Sequence, residues 1–178
     1  MKNDIEKVFF TADAIAKRVR ELGAQITTDY AEAPPLLVGI LKGSFVFMAD
    51  LARAIDLYCD VDFIAASSYG NATETSGTVT LTKPLSADAA GRHLLIAEDI
   101  LDTGVTLTFL RSYLLSLKPA SVKICALLDK PSRRKAPISA DYVGFTCPDA
   151  FYVGYGLDYA EHYRNLPYIG SLKPEIYE

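Results

Sequence analysis

The stretch "LLIAEDILDTGVTL" (Leu94 to Leu107) passes from an apolar run into three carboxylates, Glu98, Asp99 and Asp102. It then enters a turn of small residues containing Thr103, Gly104 and Thr106. The apolar run reads as a strand buried on both faces, because its hydrophobic residues are continuous rather than alternating. Leu107, Leu110, Leu114 and Leu117 recur at helical spacing until Lys118-Pro119 stops them. The unit is therefore strand, turn, helix, with acids where the strand ends. An N-cap role for Asp102 or Thr103 explains one of these residues. It leaves Glu98 and Asp99, which repel each other and Asp102 unless hydroxyl donors or a cation occupy the site. The "DTGVT" turn adds backbone N–H groups and two threonine hydroxyls at a helix N-terminus, where an anion is favoured and Gly104 permits close approach. Acids for sugar hydroxyls beside donors for a phosphate describe a pocket for a ribose 5-phosphate. Other phosphate-binding loops do not fit: neither Gly-x-x-x-x-Gly-Lys-Ser/Thr nor Gly-x-Gly-x-x-Gly occurs.

The flanking sequence supplies the frame. Residues 11 to 23 predict a helix, with Thr11 as N-cap and Ile15, Val19 and Leu22 on one face. "PPLLVGIL" (34 to 41) predicts a buried strand, and Phe45, Met48, Leu51, Ala52 and Ile55 a helix after it. "VDFIAAS" (61 to 67) predicts the next strand. "SSYGNATETSGT" (67 to 78) has no apolar face and reads as a loop, with "VTLTK" (79 to 83) as an exposed strand or hairpin arm. "SVKICALLDK" (121 to 130), "DYVGFT" (141 to 146) and "FYVGY" (151 to 155) complete the strand candidates. Strands alternating with helices imply an α/β fold: a central, mostly parallel sheet flanked by helices and joined by right-handed crossovers. Ligands of such sheets bind at the carboxyl ends of the strands, where Glu98, Asp99 and Asp102 lie.

The length of 178 residues fits one domain, 1 to 178, with room for a proper core. Half the residues are hydrophobic, yet no apolar run approaches the roughly 20 residues of a membrane helix. Asp4 and Glu6 interrupt any signal-peptide core. Cys59, Cys125 and Cys147 are odd in number and far apart, which favours free thiols and a cytoplasmic setting over disulfides or zinc. The net charge of −4 argues against nucleic acid as a partner, and a small ligand is expected.

"LLIAEDILDTGVTL" resembles the phosphoribosyl-pyrophosphate signature of purine phosphoribosyltransferases. "LLVGILKGSFVFMADLARAI", "SSYG", "LLDKPSRR" and "VGYGLDYAEHYRNLPYIG" are similar, in order, to segments of the hypoxanthine-guanine branch of that family, from about Leu36 to Tyr177. The resemblance implies the type I phosphoribosyltransferase fold, with a small hood and a flexible β-loop. It implies transfer of a phosphoribosyl group from phosphoribosyl pyrophosphate to N9 of hypoxanthine or guanine, with Mg2+, in a homodimer or homotetramer.

It also implies a role for each matching position. Glu98 and Asp99 take the ribose hydroxyls or a magnesium ion, and Asp158 takes a second magnesium. Asp102 is the general acid/base at the purine N7. Thr103, Gly104, Val105 and Thr106 hold the 5-phosphate; several family members have a basic residue in place of Val105. Lys130 reads the 6-oxo group, while its neighbours Arg133, Arg134 and Lys135 are expected to be solvated. Phe151 stacks on the base, and Tyr152, where the family often has Val or Ile, meets the base through its backbone. Lys42 and Gly43, in a turn that can hold a non-proline cis peptide, take the pyrophosphate together with Arg164. Ser68 and Tyr69 belong to a mobile lid over residues 68 to 78. His93 and His162 match no catalytic position. Two alternatives stay open: a different base, xanthine or a non-purine, and a nucleotide-sensing regulator without turnover.

Overall fold

The computed structural model describes residues 1–69 and 78–177. Elements run β1 (Ile5–Phe10), α1 (Ala12–Asp29), β2 (Leu36–Leu41), α2 (Phe45–Ala54), β3 (Asp60–Tyr69), β4 (Thr78–Lys83) and β5 (His93–Leu101). They continue with α3 (Val105–Ser116), β6 (Ser121–Asp129), β7 (Tyr142–Thr146), β8 (Tyr152–Val153), β9 (Ile169–Leu172) and α4 (Pro174–Tyr177). Six strands form the main sheet in the order β4-β3-β2-β5-β6-β7. Its neighbours pair in parallel from β3 through β7, and only β4 runs antiparallel, against β3.

Both faces of this sheet are covered, which is why β2 is apolar throughout and β5 and β6 carry continuous apolar stretches, Leu94–Ala97 and Ile124–Leu128. Along β5, Leu94 and Ile96 pack with Leu107, Leu110 and Leu114 of α3. Leu95 and Ala97 turn the other way, toward Ile15, Leu22 and Ile26 of α1 and Phe47 and Leu51 of α2. Successive residues of a strand point to opposite faces, so a continuous apolar run fills two cores at once. The Thr11 hydroxyl caps α1 by accepting from the Ala14 N–H at 3.2 Å.

A second sheet, β1-β9-β8, is antiparallel and forms the hood. Its strands β1 and β9 lie in segments from which no strand was expected. Several boundaries also differ. α1 continues to Asp29 because Ile26 is fully buried and prolongs the apolar face. The strand expected over 151 to 155 shrinks to Tyr152–Val153, since Gly154 and Tyr155 both take positive φ and turn the chain. β3 reaches Tyr69 and β4 begins at Thr78, so part of the expected loop is strand, with Tyr69 paired to Thr78. The rest of the expected lid, 70 to 77, and the side chains of Ser68 and Tyr69 lie outside the described residues. No helix among the described residues is long and apolar enough to cross a membrane.

Candidate active site

Strand β5 does not stop at its acids. Its ladder with β6 pairs Glu98 with Ala126, Ile100 with Leu128 and Leu101 with Asp129, so Glu98 and Asp99 lie inside the strand rather than beyond it. A cleft of about 270 Å³ opens over this end, lined among others by Gly43, Glu98, Asp99, Asp102, Gly104 and Thr106. The turn after β5 places Gly104 at φ +79°, a left-handed conformation that a side chain strains, and a Cβ there would also overlap Ile138. α3 starts at the next residue, where the Val105 N–H donates to the Thr103 hydroxyl at 3.4 Å and the helix N-terminus favours an anion. Thr106 lines the cleft, and Val105 is exposed.

The acids pay for this position in their ionisation. Burial, followed by the charge of Asp99, pushes Glu98 well above the usual carboxylate range. Burial also raises Asp99 to about 6, opposed by its hydrogen bond from the Ile100 N–H and by the charge of Arg164. Two half-buried carboxylates on one strand favour a cation or hydroxyl donors beside them. Gly43 lets this happen in little space, because a Cβ there would overlap the Asp99 carboxylate. The cis peptide of this turn lies at Leu41-Lys42, not between Lys42 and Gly43.

Asp102 faces a cation that is itself buried. Lys130 is 6% exposed, and its Nζ donates to the Ala150 carbonyl at 3.0 Å. The same Nζ lies 3.5 Å from Asp102 Oδ2 and 3.4 Å from Asp149 Oδ1. Asp102 Oδ1 is buried without a hydrogen-bond partner, with the Arg133 Nε 3.9 Å away. A buried acceptor left open beside a buried ammonium is the arrangement expected where a ligand donates and accepts. Phe151 is 42% exposed and meets Tyr159 edge-on at 5.6 Å. The Tyr152 ring is buried in the core beneath Lys130, whose Nζ lies 5.6 Å from its centroid; its hydroxyl donates to the Pro148 carbonyl at 2.9 Å and the ring meets Phe9 edge-on at 5.2 Å.

The segment after β8 brings further charges, of which Arg164 acts on Asp99. Arg164 pairs with Asp158 at 2.8 Å and donates to the Gly156 carbonyl at 2.8 Å. Lys42 arrives from the β2–α2 turn and pairs with Glu161 at 3.1 Å.

A phosphoribosyl transferase domain model matches residues 9–160. The chain belongs to the phosphoribosyltransferase family. It is 56% identical over 178 residues to a hypoxanthine-guanine phosphoribosyltransferase of Bacillus subtilis, covering 100% of this chain and 99% of that one. A protein of the same name from Streptococcus pneumoniae is 52% identical over 177 residues, covering 99% of this chain and 98% of that one. Among solved structures, a hypoxanthine phosphoribosyltransferase of Staphylococcus aureus superposes with a TM-score of 0.96 at 52% identity, covering 100% of this chain and 97% of that one.

Within this phosphoribosyltransferase, Gly43, Glu98, Asp99, Asp102, Gly104 and Thr106 share one cleft, with Lys130 against Asp102. Glu98, Asp99 and Asp158 do not close on one point. Among the described residues no three His, Cys, Asp or Glu side chains form a ready-made metal cage. That donor set still fits magnesium, which binds through one or two carboxylates and completes its shell with water and substrate oxygens.

Arg134 corrects an expectation. It is not solvated: its Nε donates to the Asp102 carbonyl at 3.0 Å, Nη1 to Ile138 at 2.8 Å and Nη2 to Leu101 at 3.1 Å, and it pairs with Asp129. Lys135 and Ala136 add backbone N–H bonds to the Thr103 carbonyl at 2.9 and 3.1 Å. The segment after Lys130 thus clamps the Asp102 turn. Its partners lie about thirty residues upstream, so a run of basic residues gave no local signal of it.

Proposed function

We propose that this chain, as one phosphoribosyltransferase domain over residues 1 to 178, is a magnesium-dependent enzyme of purine salvage. It transfers the 5-phosphoribosyl group of phosphoribosyl pyrophosphate to N9 of hypoxanthine or guanine, releasing pyrophosphate. The observation that carries the reading is Asp102. One of its carboxylate oxygens is open while the other lies 3.5 Å from the buried Lys130 ammonium, immediately before the donor-rich turn.

In this reading the turn from Thr103 to Thr106 binds the 5-phosphate with backbone N–H groups and hydroxyls. Glu98 and Asp99 orient the ribose as its C1 bond to pyrophosphate weakens and positive charge builds on the ring. Glu98 or Asp99 would hold one magnesium ion and Asp158 a second, and the ions would supply charge neutralisation for the pyrophosphate. Lys130 donates to the 6-oxo group; a 6-amino group in that place would leave the ammonium facing a donor, so adenine is rejected. Phe151 covers the base, and Asp102 exchanges a proton with its N7. Lys42, Gly43 and Arg164 receive the departing pyrophosphate. A cytoplasmic homodimer or homotetramer is the expected form.

The deciding experiment offers hypoxanthine, guanine, xanthine and adenine in turn, with phosphoribosyl pyrophosphate and magnesium, and follows nucleotide formation. Product from hypoxanthine and guanine but not adenine is expected. Binding of nucleotide with no turnover of any base would replace the enzyme by a sensor of the same fold.

A further inference from the structure

Two cations from distant parts of the chain share one carboxylate oxygen. Glu161 Oε2 lies 3.1 Å from Lys42 Nζ and 3.4 Å from Arg164 Nη2. Lys42 belongs to the turn after β2, and Arg164 lies across the cleft beyond β8. The backbone explains how Glu161 arrives there. It sits at φ +66°, in a short irregular run with Ala160 and Tyr163, and its N–H donates to Asp158 Oδ2 at 2.9 Å. The main chain of Glu161 therefore steadies Asp158, while its side chain spans the two cations.

We propose that Glu161 sets the affinity for pyrophosphate, its carboxylate standing in for a pyrophosphate oxygen between Lys42 and Arg164 until the ligand displaces it. The inference rests on the reading that Lys42 and Arg164 hold pyrophosphate. The local charge balance supports it. Arg164 already pairs with Asp158 at 2.8 Å and acts on Asp99, so it does not need Glu161 to be neutralised. The Lys42 and Glu161 side chains are 67% and 63% exposed, and such a pair is weak, screened and readily exchanged. An anion bridging two cations at the mouth of the site competes with an incoming anion of the same kind. When the product departs, the same carboxylate returns to the cations and pairs Lys42 again. Glu161 is thus a positioning residue in the empty site and a competitor in the filled one.

Glu161→Gln separates this role from a structural one by the sign of its effect. Losing a structural ion pair can only loosen the site, whereas losing a competitor tightens it. Calorimetric titration of the full chain with pyrophosphate in excess magnesium should give a Kd lower in the variant by about 1.5-fold to fivefold, the range expected of a single exposed charge pair. Product inhibition by pyrophosphate against phosphoribosyl pyrophosphate should strengthen by the same factor. Lys42→Met should weaken pyrophosphate, and adding Glu161→Gln to it should recover less than the substitution gains in the parent. An unchanged or higher Kd in Glu161→Gln, with Lys42→Met still weakening the ligand, overturns the role of Glu161 and leaves the pyrophosphate site standing. Unaltered binding in Lys42→Met removes both.

Discussion

Asp99→Asn should make the ligand-free protein more stable at neutral pH, although it deletes a residue of the candidate site. Asn is nearly isosteric, so the close approach to Gly43 survives. What changes is charge. Burial raises the Asp99 carboxyl from its ordinary 3.8 to about 6, and the neighbouring Glu98 is raised as well. A carboxyl whose folded pKa lies above its unfolded one binds more protons in the native state between the two values. Its contribution to stability therefore falls as pH rises through that window, from about 4 to about 6, and is fully unfavourable above it. At about 1.4 kcal/mol per tenfold difference in acidity, and allowing for partial solvent access, the ionised Asp99 destabilises the apo protein by about 1–3 kcal/mol at pH 8. Urea unfolding of both proteins in chelator, at pH 8, 6 and 4, reads this directly. The variant should exceed the parent by that amount at pH 8, and the gap should close toward pH 4. Magnesium with pyrophosphate should narrow it at pH 8, because ligands that bind only the native parent raise its stability. Equal stability at pH 8, or a gap that widens on acidification, would refute the assignment of strain to this carboxylate.

Asp102→Asn should lower kcat by on the order of 10²–10⁴ with a much smaller change in nucleotide affinity; steady-state rates and nucleotide titration together check it, and parental turnover would remove Asp102 as the acid/base. Lys130→Ala should raise KM for hypoxanthine and guanine more than KM for phosphoribosyl pyrophosphate, because its ammonium meets only the base; equal effects would make it a scaffold residue. Arg134→Leu removes three hydrogen bonds to carbonyls and leaves Asp129 without its arginine, so unfolding free energy should drop by about 3–5 kcal/mol. A loss below about 1 kcal/mol in urea would show that the clamp is dispensable.

The parts of this molecule that were legible in the sequence are those whose causes are local. The strands β2, β5 and β6 announce themselves because burial on both faces leaves continuous apolar stretches in them, and no other pressure in the chain makes runs like "LLVGIL" or "LLIA". The Asp102 turn was legible for the opposite reason: acids that follow a buried apolar run are unfavourable without a ligand, so their presence demands one. The hood was not. β1 reads "IEKVFF" with only its ends partly buried, and β9 is four residues that include a glycine and a serine. They form a sheet because Val8 meets Gly170 across most of the chain, and neither segment carries that pairing alone. Charged side chains show the same divide more sharply. Arg133 and Arg134 are adjacent and chemically identical, yet one is 54% exposed and the other 17%. What separates them is the placement of carbonyls on the Asp102 turn and at Ile138, a property of folded backbone rather than of residue type. Glu161 is the extreme case. Nothing in "DYAEHYR" distinguishes it from a solvated acid until the left-handed turn brings it between Lys42 and Arg164. Residues that touch substrate can be legible because chemistry restricts their type. Residues that hold or compete with those groups are set by geometry, and they become visible only once the chain has folded.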